Sequence, residues 1–145
     1  MSRHPRFRKH IRLSNYDYKA DGYYFVTICT NNRQHRFASE ADQNLVLRKV
    51  HQIPKSFPGV IIDQVVIMTN HLHLILAFGS SGKPLGHVVQ ALKSWVTREI
   101  KGPKPVWQTN YHEHVIRNET ALQKIREYIQ NNPIAERIKC EQFYK

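Results

Sequence analysis

The residues with the clearest capacity for chemistry are His71 and His73, in the segment VIIDQVVIMTNHLHLILAF that runs from Val60 to Phe78. Its second half alternates strictly, so on a strand His71, His73, Ile75 and Ala77 share one face, while Leu72, Leu74, Leu76 and Phe78 share the other. Strand residues two apart point the same way at a separation of about 6.5 to 7 Å. From there two neutral imidazoles can ligate one metal ion and leave its other positions open. Such a site needs a third protein group. Tyr128 and Asn132, four residues apart, stack on one side of a helix. If that side meets the histidines, the Asn132 amide oxygen is the third ligand and the Tyr128 hydroxyl lies about one turn away. A divalent cation held in this way would polarise a phosphate oxygen while the phenol attacks the phosphorus in line. A phenol of ordinary pKa, about 10, must shed its proton during the attack, and the sequence identifies no base for it.

Each of these residues also has a plainer reading. A histidine pair on a strand serves equally as polar filler or in a structural zinc site. A tyrosine on an amphipathic helix is more often a core or rim aromatic than a nucleophile. Asn132 precedes Pro133 near a helix end, where asparagine is common for conformational reasons. His112 and His114 in YHEHV alternate as the first pair does and form a rival site. Their strand lacks a long apolar run, which favours exposed or DNA-facing histidines.

The elements that must position these groups fit in one domain. A chain of 145 residues buries roughly 70% of its unfolded surface around a single core and needs no metal or disulfide to fold. Its 22 Lys and Arg against 11 Asp and Glu give a formal net charge of +11. Such an excess favours a polyanionic partner, the alternative being a merely soluble basic protein. Residues 1–20 form a basic arm in which Arg3, Arg6 and Arg8 are interleaved with Phe7, Tyr16 and Tyr18. That mixture suits a phosphate backbone with unpaired bases, and an untidy terminus fits it equally. Cys29 and Cys140 fit no metal or redox spacing and read most simply as free thiols in a reducing compartment, with one disulfide as the alternative. The N-terminus lacks the apolar stretch of a secretory signal, and no run is long enough to span a membrane, so the expected location is cytoplasmic. Nucleic acid is the default polyanion there.

Along the chain, Tyr23 to Thr30 (YYFVTICT) reads as a first strand. Val46, Val50 and Ile53 place a helix from about Gln43 to Ile53, with Pro54 stopping or kinking it. Val60–Ile67 and His71–Phe78 form a hairpin, and their continuous apolar character puts both strands centrally in the sheet. Pro84 opens a second helix whose buried stripe is Leu85, Val88, Val89, Leu92, Val96 and Ile100. Lys93 and Arg98 fall off that stripe and, with Arg33, join Arg3, Arg6 and Arg8 as candidate DNA contacts, an ordinary solvated face being the commoner reading of Lys93 and Arg98 taken singly. Trp95 and Trp107 suit either base stacking or the core. Val106–Arg117 is a fourth strand, and a last helix capped by Asn118 or Thr120 continues to about Asn132. The order implies an α+β, ferredoxin-like antiparallel sheet with two helices on one face. An additional C-terminal helix lies against the other face, with the histidines.

Three motifs in this order, MTNHLHLIL, VWQTNYHEHVIRNE and IREYIQNNP, resemble the single-tyrosine HUH transposases. The similarity is to the REP-associated tyrosine transposase branch or a close insertion-sequence relative, and it extends over nearly the whole chain, from YYFVTICTNNR through KSWVTREI. It implies an HUH nuclease fold acting on single-stranded DNA beside hairpins. The family's metal histidines fall on His71 and His73, its nucleophile on Tyr128 and its further metal ligand on Asn132. Magnesium or manganese is the implied cofactor, with imidazole ligation suiting manganese somewhat better. The implied reaction leaves a 5′-phosphotyrosine link and a free 3′-hydroxyl that can later rejoin ends. The branch implies a monomer, whereas related transposases form homodimers that exchange the tyrosine helix. Thr69 stands where the family often has proline, with a local effect expected on the hairpin turn. Two other activities fit the same residues: a catalytically silent module that binds hairpin or single-stranded nucleic acid, and a phosphoesterase whose metal-bound water replaces the tyrosine.

Overall fold

The computed structural model describes residues 22–80 and 82–131. The basic arm with Arg3, Arg6 and Arg8, the expected ligand Asn132, and Cys140 lie outside the described residues. The first strand, β1 (Gly22–Cys29), is buried along its whole length. Its β-branched and aromatic residues suit a strand covered on both faces.

Helix α1 (Glu40–Ser56) begins three residues before the expected start because the Ser39 side chain accepts from the Asp42 N–H at 3.1 Å. Glu40 and Asp42 add negative charge at the positive end of the helix dipole. Pro54 does not end it. A proline removes one helical N–H bond, and here that loss falls close to the end of the helix, where Phe57 N–H still donates to Ile53 O at 2.8 Å.

Strands β2 (Val60–Ile67) and β3 (His71–Phe78) form the expected antiparallel hairpin. The sheet order is β2-β3-β1-β4, so β3 is central but β2 lies at an edge. Its continuous apolar run reflects partial cover by α1 and by the last helix, with most of its residues only half-buried. Helix α2 (Leu85–Glu99) has Pro84 as its N-cap rather than its first residue. Strand β4 is shorter than expected, His112–Ile116. Trp107 leaves it to pair with Thr30 in an isolated bridge.

Lys93 requires a correction. It is only 8% exposed, and its Nζ donates to the carbonyls of Gln108 at 2.8 Å and Thr109 at 3.2 Å. The ammonium therefore satisfies the backbone of the segment entering β4, and a neighbouring bond from Trp107 Nε1 to Lys93 O, 3.2 Å, fastens the same junction. Trp107 is buried, and half-buried Trp95 packs at the core's edge against Phe57.

Helix α3 (Glu119–Gln130) is capped by Asn118, whose Oδ1 accepts from Ala121 N–H at 2.8 Å. It ends at Gln130, two residues short of the expected Asn132. All strand pairings are antiparallel, giving the ferredoxin-like arrangement. On one face Tyr24, Val26, Ile28, Leu72, Leu74 and Leu76 pack against α1 and α2. On the other, Tyr23, Phe25, Ile75, Ala77 and Ile116 pack against Leu122, Ile125 and Ile129 of α3. Helices therefore cover both faces, with α3 on the histidine side as the element order implied.

Candidate active site under the last helix

Cross-strand partners point to the same face of a sheet. Thr27 pairs with His73, and Phe25 with Ile75, so the histidine face continues across β1. The His71 and His73 rings lie 4.8 Å apart between centroids. Tyr128 reaches this pair from α3: its ring is 5.5 Å from that of His73, edge to face at 71°, and 6.2 Å from Phe25. The sequence-derived trio of His71, His73 and Tyr128 is therefore assembled within one chain.

The two imidazoles differ. His71 Nδ1 lies 2.7 Å from Asn70 Oδ1. An amide oxygen only accepts, so Nδ1 carries the proton and a neutral His71 keeps its lone pair on Nε2. His73 is fully buried, with Nδ1 2.9 Å from Thr27 Oγ1. Its Nε2 is buried with no hydrogen-bond partner among the described residues. Burial, and next the neighbouring His71, push the His73 pKa down to about 3, so the ring is neutral at physiological pH. The Thr27 hydroxyl can accept from Nδ1 or donate to it; in the tautomer where Nδ1 donates, Nε2 keeps a lone pair without a partner, a costly arrangement that a cation there would relieve. The donor set thus fits a divalent metal. Among the described residues no three His, Cys, Asp or Glu side chains could hold a metal together, and a closed structural zinc site of four such ligands is therefore absent there.

His112 and His114 share this sheet face, opposite Thr27 and Phe25 on β1. They are half-buried, and burial, then Arg117, lowers the His114 pKa. The sequence favours exposed or DNA-facing histidines here; in the structure their alternation places them on the same face as the first pair, across an intervening strand. Of the candidate cations, Arg33 is exposed beside the site, its carbonyl accepting from Asn70 Nδ2 at 3.4 Å. Arg98 is exposed on α2, in the helical layer of the opposite face. Thr69 contributes a hydroxyl 2.6 Å from His35 Nδ1, a contact that proline at this position would not make.

Three contributors escaped the sequence reading. Thr27 looks like an ordinary strand threonine, and Asn70 like a turn residue. Asp63 had a visible signal, a carboxylate inside an apolar strand. Its oxygens accept from Arg126 Nε at 2.8 Å and Nη2 at 2.7 Å, joining β2 to α3.

Residues 18–132 match the family model described as "Transposase IS200 like". An uncharacterized protein of Haemophilus influenzae is 37% identical over 88% of each chain. Among solved structures, the chain is similar to a REP-associated tyrosine transposase bound to a REP hairpin, with a TM-score of 0.72 and 22% identity over 94% of this chain and 74% of that one. A candidate transposase of Deinococcus radiodurans gives a TM-score of 0.53 and 20% identity over 81% and 93% of the two chains. These two structures share the fold assembled above. With the family match extending over most of its length, the chain belongs to the IS200-like transposases.

Proposed function

We propose that the protein is a metal-dependent endonuclease and strand transferase for single-stranded DNA beside hairpins, with Tyr128 as nucleophile. The observation that carries this reading is the Tyr128 ring packed 5.5 Å from His73, a buried, neutral imidazole with a partnerless nitrogen. A plain aromatic contact needs no such nitrogen. His71 and His73 would hold magnesium or manganese through Nε2, and Asn132 is proposed as the further ligand. When bound, that cation supplies charge stabilisation at the phosphate oxygens.

The chain's own residues do the rest. Asn70 and Thr27 hold each imidazole in the tautomer that leaves Nε2 unprotonated. Apolar packing of α3 on Phe25 and Ile75 holds the helix that carries the nucleophile against the sheet. The Tyr128 oxygen forms a bond to phosphorus as the bond to the 3′-oxygen breaks. The proton lost by the phenol balances the one gained by the departing 3′-hydroxyl, and the 5′ end stays on Tyr128 as a phosphodiester. Reversal with another 3′-hydroxyl joins strands without an external energy source. The net charge of +11 supports a DNA partner, as does the hairpin bound by the similar transposase. Arg33, Arg98 and the arm residues Arg3, Arg6 and Arg8 are the proposed phosphate contacts. Lys93, held by carbonyls, is left out. We place the reaction in the cytoplasm, in a monomer.

The test is nicking of an end-labelled, hairpin-containing single strand. Wild-type protein with manganese should cut, and Tyr128→Phe should bind with unchanged affinity without cutting. A Tyr128→Phe variant that still cuts would assign the chemistry to water. Wild-type protein that binds but never cuts would assign a silent binding module.

A further inference from the structure

The β2 strand contains an irregularity at Asp63. Ile62 pairs with Leu76 and Gln64 with Ile75, so the register shifts by one residue at Asp63, a β-bulge. Ile61, opposite Ala77, and Gln64, opposite Ile75, both belong to the α3 face. Alternation from Ile61 puts Asp63 there too, and the bulge thereby aims two consecutive side chains at α3. The Asp63 side chain is 3% exposed and that of Arg126 25%. Their two parallel bonds of 2.8 and 2.7 Å make a bidentate, charge-assisted pair that fixes orientation as well as distance. Tyr23 stands in the same cluster, its pKa raised by burial and then by Asp63. Leu122, Ile125 and Ile129 also hold α3 on the sheet, and being apolar they resist separation more than they fix rotation. Arg126 precedes Tyr128 by two residues, which couples the phenol's position to the ion pair through half a turn of rigid helix.

We propose that the Asp63–Arg126 pair is the latch that sets α3 on the sheet, so that Tyr128 is presented to the histidine pair of its own chain. The proposal rests on the reading of Tyr128 as nucleophile. Asp63 and Arg126 are positioning residues, acting through the helix.

The experiment compares wild type with Asp63→Asn, Arg126→Gln and Arg126→Lys. It measures the single-turnover rate of covalent adduct formation at saturating hairpin DNA with manganese, DNA affinity, and hydrogen exchange of the α3 amides. Asp63→Asn and Arg126→Gln should slow adduct formation by about 10²-fold, the scale of a misplacement near 1 Å, while DNA affinity stays within about twofold. Their α3 amides should exchange faster, with β1 and β3 still protected. Arg126→Lys keeps the charge without the fork and should fall between. Wild-type rates in all three variants would overturn the latch, as would rate losses matched by equal loss of protection in β1 and β3. Wild-type protein that forms no adduct, with α3 exchange still accelerated by Asp63→Asn, would sink the strand-transfer reading and leave the docking role standing. Mixing Tyr128→Phe chains with His73→Ala chains should yield no adduct, since neither holds a whole site. An adduct in that mixture would overturn assembly within one chain.

Discussion

Acid should destabilise the metal-free protein through His73. In the folded chain its pKa is depressed to about 3 by burial and by His71. In the unfolded chain it returns to about 6.5. Between these values the unfolded state binds a proton that the folded state does not, so stability falls as pH falls through that window. From pH 8 to pH 5 the difference integrates to about 2 kcal/mol from this one group, at 1.36 kcal/mol per pH unit once the unfolded histidine is mostly charged. The assay is urea unfolding in chelator at both pH values, for wild type and His73→Gln. With slopes of about 2 kcal/mol per molar urea, the wild-type midpoint should drop by about 1 M more than that of the variant. Contributions from the remaining histidines cancel in the comparison. Equal pH dependence in the two proteins would refute the claim that His73 is held neutral by burial. Manganese added at pH 8 should stabilise wild type more than His73→Gln, because ligand binding to the folded state adds to its stability by mass action.

Other consequences concern groups around the site. Thr27→Val removes the hydroxyl beside His73 Nδ1 and should weaken manganese binding by about 10- to 100-fold in a calorimetric titration; unchanged affinity would show that the hydroxyl does not set the tautomer. Lys93→Met keeps the buried stem but strips the Gln108 and Thr109 carbonyls of their donor, so stability should fall by about 1 to 3 kcal/mol in denaturant unfolding. Loss of DNA affinity at unchanged stability would instead restore Lys93 as a phosphate contact. Asn118→Ala removes the cap of α3 and should cost about 1 kcal/mol, with faster exchange of the first-turn amides as the local readout.

The period-2 pattern of HLHLILAF made the site face legible before any coordinates, because one phase is wholly apolar and the other begins with imidazoles. The order of elements likewise left α3 free to cover that face. Other features were less accessible for physical reasons. A continuous apolar run does not separate a central strand from an edge strand covered by helices, so β2 was misplaced. A bulge depends on pairing with β3, which VIIDQVVI alone does not encode. Lys93 was readable in principle: Val89, Lys93, Val96 and Ile100 share one helical stripe, and the lysine's charge drew attention from its phase. Pro54 suggested a helix stop, but close to the helix end its missing N–H costs little.

The central claim is that Tyr128 becomes covalently joined to DNA. Its most direct measurement is mass spectrometry of peptides from protein incubated with manganese and a hairpin-containing single strand, after nuclease trimming of the DNA. The account predicts a nucleotide remnant on the peptide containing Tyr128, absent in chelator and absent from Tyr128→Phe. Cleaved DNA with an unmodified Tyr128 peptide, or a remnant on a different tyrosine, would contradict it.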